Sequence, residues 1–320
     1  MAPQNPAMYV ENGALCFNGK ALPDHLYDPN NFTLAAYKEQ IQTLLDAGYE
    51  PVQYDTEEQH EKSVILRHDV AFSPSQALKM AKIEQELGVQ STFFFNFDSG
   101  FYTVNDQKVQ DTIREIQAMG HQIGIQIKPE DKDGNLLVDE DLVRHIEEQK
   151  NIFEATLGAN VECVSFDVTK LTPMGKIPQQ AQIAGMLNTY GHKFADGVDR
   201  SKGQAGNSNG MHLYGTSMTD HVEQGTPHLH LLVYPDWLSD APMLPHMRLL
   251  ALPEVQKNQE RYYSQTLKNA HETGRCVAGD GHFPAVDEQV RTVMASNPAY
   301  EPPLRKGHRS PQMDLDLSQD

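Results

Sequence analysis

"SVILRHDV", residues 63–70, begins apolar and ends charged, and "SPSQALKMAKIEQELGV", residues 73–89, follows it almost at once. The first segment is short, rich in branched side chains and bounded by polar residues, which predicts a buried strand. The second predicts a helix, with Ser73 as N-cap, Pro74 at the first helical position and Gly88 at its end. The unit then recurs. "QSTFFFNF" (90–97), "HQIGIQI" (121–127) and "VECVSF" (161–166) read as further buried strands. "DQKVQDTIREIQAMG" (106–120) and "LVDEDLVRHIEEQKNIFEATLG" (137–158) read as the helices between them. Strands that are apolar throughout, alternating with amphipathic helices, predict a parallel sheet covered by helices.

Outward from this core the signals change. "NFTLAAYKEQIQTLLDAGYE" (31–50) places Leu34, Tyr37, Ile41, Leu44 and Leu45 at helical spacing. Before it, "YVENGALCFNGKAL" (9–22) carries two Asn-Gly turn signals and predicts an N-terminal hairpin. "HLHLLVYP" (228–235) reads as another buried strand, and "LPEVQKNQERYYSQTLKNAHETG" (252–274) as a closing helix. The stretch from about 195 to 227, containing "DGVDRSKGQAGNSNG", reads as a loop because Gly, Ser and Asn dominate it. The expected organisation is a hairpin segment (1–30), one α/β domain (31–250), a helical extension (251–296) and a tail (297–320).

Composition narrows the function classes. The 44 acidic against 26 basic side chains give a formal charge of −18, a field that repels phosphate backbones and anionic lipid, so neither nucleic acid nor a membrane is an expected partner. No apolar run reaches membrane-spanning length, and the start lacks the order of a secretion signal, so a cytoplasmic location is expected. Cys16, Cys163 and Cys276 are widely spaced and contain no C-x-x-C pair; reduced, structural thiols are expected.

In parallel α/β folds the ligand site collects at the carboxyl ends of the strands. The polar residues there are Arg67, His68 and Asp69; Asn96 and Asp98; Gln126, Lys128 and Glu130; Asp167; and Tyr234 with Asp236. Arg67 is assigned to the opposite face from Asp69, with a structural role. His228 and His230 share one strand face, but with no third ligand nearby they read as structural. Phe101, Tyr102, Tyr234 and Trp237 lie in or just after strand-end segments, and as a set they suit the apolar faces of a sugar.

These segments resemble a known family. "LRHDV", the helix and strand after it through "STFFF", "FY" at 101–102 and "GHQIGIQI" at 120–127 are similar to the polysaccharide deacetylases, the NodB-type carbohydrate esterases, in their R-H-D-V-D branch. The likeness runs over about residues 31–250, with weaker echoes in "VSFD", "FADGVDR" and "LLVYPDWL". It implies a distorted, incomplete (β/α) barrel. It also implies a divalent metal held by an aspartate and two histidines, a separate aspartate as base, and a late-strand histidine as proton donor.

Carried over residue by residue, the resemblance puts Asp69 at the base position and Ala71 at the metal aspartate. Gln126 falls on the first metal histidine, Glu130 on the second four residues later, Asp167 on the S-F-H histidine and Tyr234 on the proton donor. The frame is retained while every expected imidazole is exchanged. The expectation is therefore a divergent deacetylase-like protein without zinc chemistry, which keeps its pocket for a small-molecule or glycan-like ligand, or acts as a scaffold for a protein partner or a second copy of itself. Residues expected to touch ligand are His68, Gln126, Glu130, Phe101, Tyr102, Asp196 and Trp237; those expected to carry any remaining chemistry are Asp69, Asp167 and Tyr234. No cofactor and no metal ligand are assigned. The alternatives are an enzyme working without metal, one holding a divalent cation on the oxygens of Asp69, Glu130 and Asp167, and a deacetylase with atypical ligands.

Overall fold

The computed structural model describes residues 8–11, 14–17, 20–21, 29–54, 60–97, 99–131, 133, 135–167, 178–191, 204–208, 218–243 and 251–257. All of them belong to the compact unit Met1–Tyr263. The N-terminal strands β1 (Met8–Glu11), β2 (Ala14–Phe17) and β3 (Lys20–Ala21) pair antiparallel in the order β1-β2-β3, one strand more than a hairpin.

The main sheet is built from the repeating unit. Helix α1 (Leu34–Asp46) leads into β4 (Glu50–Val52) and β5 (Ser63–Val70); α2 (Pro74–Glu86) leads to β6 (Thr92–Asn96), α3 (Gln107–Ala118) to β7 (Gln122–Ile127), and α4 (Asp139–Leu157) to β8 (Cys163–Phe166). The short strands β9 (Gln182–Ile183) and β10 (Met186–Asn188) follow, then β11 (Gln204–Ser208), helix α5 (Met218–Glu223) and β12 (His228–Leu232). The strand order is β11-β12-β5-β6-β7-β8-β10-β9, with β4 also paired to β5, and every pairing except β9 with β10 is parallel. This is the expected α/β class: a curled half-barrel, the incomplete (β/α) barrel.

Local chemistry sets the element ends. Ser73 Oγ accepts from the Gln76 amide at 3.2 Å and Pro74 opens α2, as anticipated. Thr33 and Asp106 cap α1 and α3 in the same way. At the end of α4, Gly158 adopts φ 69° and returns its amide to the Glu154 carbonyl at 2.8 Å, a left-handed cap that a β-carbon disfavours.

The loop expected over 195–227 contains regular structure. Strand β11 runs parallel to β12 and α5 packs near α1. Composition does not report this pairing, because a backbone ladder at a sheet edge needs no apolar side chains. The closing helix is described only as far as residue 257, and the tail lies outside the described residues.

Each central strand is buried on both faces, and the two faces differ. Val70, Phe93, Phe95, Ile123, Ile125, Ile127, Val164 and Phe166 point toward the helices and form one core with Ala77, Ile113, Ile116, Leu142, Ile146 and Phe153. Leu66, Leu229, Leu231 and Val233 do the same beneath α1. The opposite face forms the barrel interior, where a small apolar floor of Val52, Tyr54, Ile65, Phe94 and Cys163 gives way to polar groups. Gly124 sits beside Phe94 in register, and a β-carbon there would lie 2.3 Å from Phe94 Cε1, so this glycine makes room for the ring.

Candidate functional site

Alternation along β5 sends Ile65, Arg67 and Asp69 into the interior and His68 to the helix side. Arg67 and Asp69 are both buried and form a bidentate pair: Nε donates to Oδ1 and Nη2 to Oδ2, each at 2.8 Å. This corrects the expectation that put Arg67 on the opposite face from Asp69. From β7, level with the pair, Gln126 Nε2 donates to Asp69 Oδ2 at 2.9 Å. From β8, Ser165 Oγ takes a further bond from Arg67 Nη2. The guanidinium carbon lies 5.2 Å from the Phe94 ring centre and 5.4 Å from that of Tyr190. Burial pulls the Arg67 pKa down, but Asp69, Tyr190 and Tyr54 more than reverse it, so the side chain stays charged.

Around this ion pair sit the other groups of the barrel mouth. Burial, then the charge of Asp69, holds the Asp167 carboxyl above the usual range; Lys128 opposes the shift and Glu130 adds to it. Burial and then Asp69 also raise the Tyr234 phenol, against the pull of Arg67. Glu130 pairs with Lys128 at 2.7 Å. Deeper in the barrel, Tyr54 Oη and His230 Nε2 are hydrogen-bonded at 2.6 Å, and burial with the nearby Arg67 lowers His230 to about 3, which favours the neutral imidazole. His228 faces Ser63, with Nδ1 and Oγ 3.0 Å apart.

The structure thus brings Asp69, Gln126, Asp167 and Tyr234 into one electrostatic neighbourhood, with Glu130 at its rim. His68, expected to touch ligand, faces away. Its Nε2 meets Glu84 Oε1 at 2.7 Å and its Nδ1 the Val233 carbonyl at 3.1 Å, inside the helix layer. Glu84 also accepts from Tyr37 and, at 2.7 Å, from Ser91. Burial alone would raise Glu84, and His68, His121 and Tyr37 together bring it below the usual range.

Tyr102 is also displaced from the mouth: its hydroxyl donates to the Val70 carbonyl at 2.7 Å and accepts from the Asn96 amide at 2.8 Å. Phe101 packs on Phe72 with ring centres 4.5 Å apart, and Trp237 is half-buried in the turn after β12. Asp196 and Asp98 lie outside the described residues. Asp236 accepts from the Ala71 and Ser73 amides at 3.0 and 2.7 Å and so fastens the segment after β5; burial pushes its carboxyl up to about 7 against the restraint of these amides.

A divalent metal in the manner of the resembled family does not fit these residues. Among the described residues no three His, Cys, Asp or Glu side chains gather as metal ligands. Gln126 must turn its amide nitrogen toward the carboxylate of Asp69, so it offers that residue a donor and not a lone pair. Arg67, placed at a strand end from sequence but given only a structural role, and Ser165, Tyr54 and Tyr190, not named there, belong to the site. Two-residue spacing from Asp69 and from Asp167 is the signal that locates the first two.

Comparison with family models gives no match, nor does comparison with curated proteins. Solved structures with a similar course of chain include a CE4 family pseudoenzyme from Bacillus anthracis, 14% identical with a TM-score of 0.31, over 63% of this chain and 62% of that one. A Streptococcus mutans CE4 esterase is 16% identical with a TM-score of 0.35, over 64% of this chain and 83% of that one. The peptidoglycan deacetylase PdaC from Bacillus subtilis is 15% identical with a TM-score of 0.32, over 65% and 96%. This chain spans 62–67% of the length of the three pseudoenzyme chains it matches. At these scores the likeness assigns neither activity nor ligand.

Proposed function

We propose that this chain is a divergent relative of the polysaccharide deacetylases whose barrel mouth has given up metal-dependent hydrolysis and binds a carbohydrate-like ligand. The observation that carries the reading is the hydrogen bond from Gln126 to Asp69, where the resembled enzymes place a metal-binding imidazole. The ordered motifs from "LRHDV" to "LLVYPDWL" support the family reading. Support for the ligand comes from Tyr190 and Tyr234 beside a fixed Arg67–Asp69 pair, which offers ring faces and hydrogen-bonding edges without a free net charge.

The test uses the full chain, purified without a histidine tag, and chito-oligosaccharides as probe. The expected result is saturable binding by calorimetry that Tyr234→Ala weakens, together with no release of acetate in the presence of zinc, cobalt or manganese. Acetate release dependent on one of these metals overturns the reading. So does an absence of binding.

A second reading rests on Asp167. A carboxyl held above its usual range by burial and by Asp69, with Asp69 itself paired to Arg67, offers the two unlike carboxyl environments that acid–base catalysis uses. In that case turnover of the oligosaccharide resists EDTA, and Asp167→Asn removes the high-pH limb of its pH profile.

A further inference from the structure

Away from the barrel mouth, on the helix side of the sheet, α2 meets the starts of β6 and β7 at three buried polar residues, Glu84, Ser91 and His121. Their partners allow one arrangement of protons. Ser91 Oγ gives its hydrogen to Glu84 Oε2 at 2.7 Å, and the Ser91 amide donates to His121 Nδ1 at 3.2 Å. His121 Nε2 faces the Ala81 carbonyl at 3.2 Å, which can only accept, so the ring carries its proton there. Nδ1 is therefore a bare nitrogen and the imidazole is neutral. Burial favours this form and lowers the His121 pKa; Glu84 and the Ala81 carbonyl oppose the shift, and His68 adds to it.

A second proton on the ring would set one donor against another. The new N–H can turn to Ser91 Oγ, 3.1 Å away, and reach Glu84 through it. The Ser91 amide is then stranded. Among the described residues His121 Nδ1 is the acceptor it has, and Ser91 is fully buried, so no water replaces the lost partner. The same junction is closed by the Gln122 amide on the Ser91 carbonyl at 2.9 Å and by Thr92 Oγ1 on Gln122 Oε1 at 3.0 Å.

The titratable groups around the ring come from three elements. Glu84 of α2 holds Oε2 3.7 Å from Nδ1, His68 of β5 meets the other oxygen of that carboxylate at 2.7 Å, and Tyr37 of α1 donates to it. Phe93 of β6 packs edge-on, with ring centres 5.2 Å apart.

We propose that His121 is an acid-operated latch: uptake of one proton releases the Ser91 amide and loosens the joint where β6 and β7 begin. The folded pKa lies below the unfolded value of 6.5, so the closed latch contributes fully above pH 6.5 and its contribution is lost as pH falls from there to the folded pKa. Strand β7 also carries Gln126, but the latch does not depend on what the barrel mouth binds.

Nuclear magnetic resonance of the full chain, from about pH 7.5 down to about 4.5, follows ring and amide together. At the upper end His121 Nδ1 is expected as a bare nitrogen and Nε2 as a protonated one. As the ring gains its second proton, hydrogen-exchange protection of the Ser91 amide, corrected for the intrinsic rate, should fall about tenfold relative to that of Ile125 within β7, the loss of one hydrogen bond. The readout is local because burial lowers His221 and His230 as well, and global stability would mix all three. His121→Asn offers the Ser91 amide an oxygen in place of Nδ1 and takes up no proton, so its Ser91 amide should stay protected over the same range; the parent chain decides the matter even where this variant does not fold. A protonated Nδ1 at the upper end, a Ser91 amide still protected once the ring is charged, an equal loss in folded His121→Asn, or a ring that stays neutral until the chain unfolds overturns the proposal.

Discussion

A guanidinium and a carboxylate buried together on one strand are costly to separate, because removing either leaves the other as an uncompensated charge away from water. Arg67→Met should lower stability by about 3–5 kcal/mol in urea unfolding, and Arg67→Met with Asp69→Leu should recover much of the loss. A double variant no more stable than the single one would show that the pair itself adds net stability. His230 gives the site an acid limit. Its folded pKa of about 3 lies below the unfolded value of 6.5, so its contribution is complete above pH 6.5 and is lost as pH falls below that value. Stability should decline by up to about 1.4 kcal/mol per pH unit from this one proton, and His230→Asn should flatten the profile between pH 6.5 and 4. An unchanged slope would mean that the imidazole is protonated in the folded chain. Asp69, Gln126 and Asp167 were legible at this scale as polar residues ending apolar strands. The assignment of Arg67 to the opposite face conflicts with the two-residue period of a strand, which groups it with Asp69 and leaves His68 to Glu84.

Elements succeeded where side-chain periodicity and caps act locally. Ser73, Pro74 and Asp106 define the starts of α2 and α3 within the segments that name them. Strand β11 was not legible, since what holds it is a ladder to β12 and not its own composition. The G-H-x-I-G segment has a physical reason at each end. His121 Nδ1 takes the Ser91 amide at 3.2 Å, and Gly124 leaves room for the Phe94 ring. Gly124→Ala should cost about 1–3 kcal/mol as the ring is driven against Arg67, read as a lower urea midpoint; a midpoint within error of the parent would mean that the ring has somewhere else to go.

For the whole molecule, the sheet separates two environments. One face is sealed beneath helices, and the other ends in an ion pair, an amide, a carboxyl and a phenol. A chain with no gathered metal ligands among its described residues should keep its thermal midpoint when EDTA or zinc is added. A rise of several degrees with zinc would place ligands in the remaining segments. Among the described residues no helix is long and apolar enough to cross a membrane. Sequence by itself determined the strand–helix alternation, the helix starts and the polar strand ends, because hydrophobic period and capping act within a few residues. Only the tertiary structure decided that Gln126 turns a donor to Asp69, that His68 belongs to the helix layer and that Phe101 and Tyr102 line a separate cavity. Those outcomes depend on partners up to 165 residues away, which no local pattern specifies.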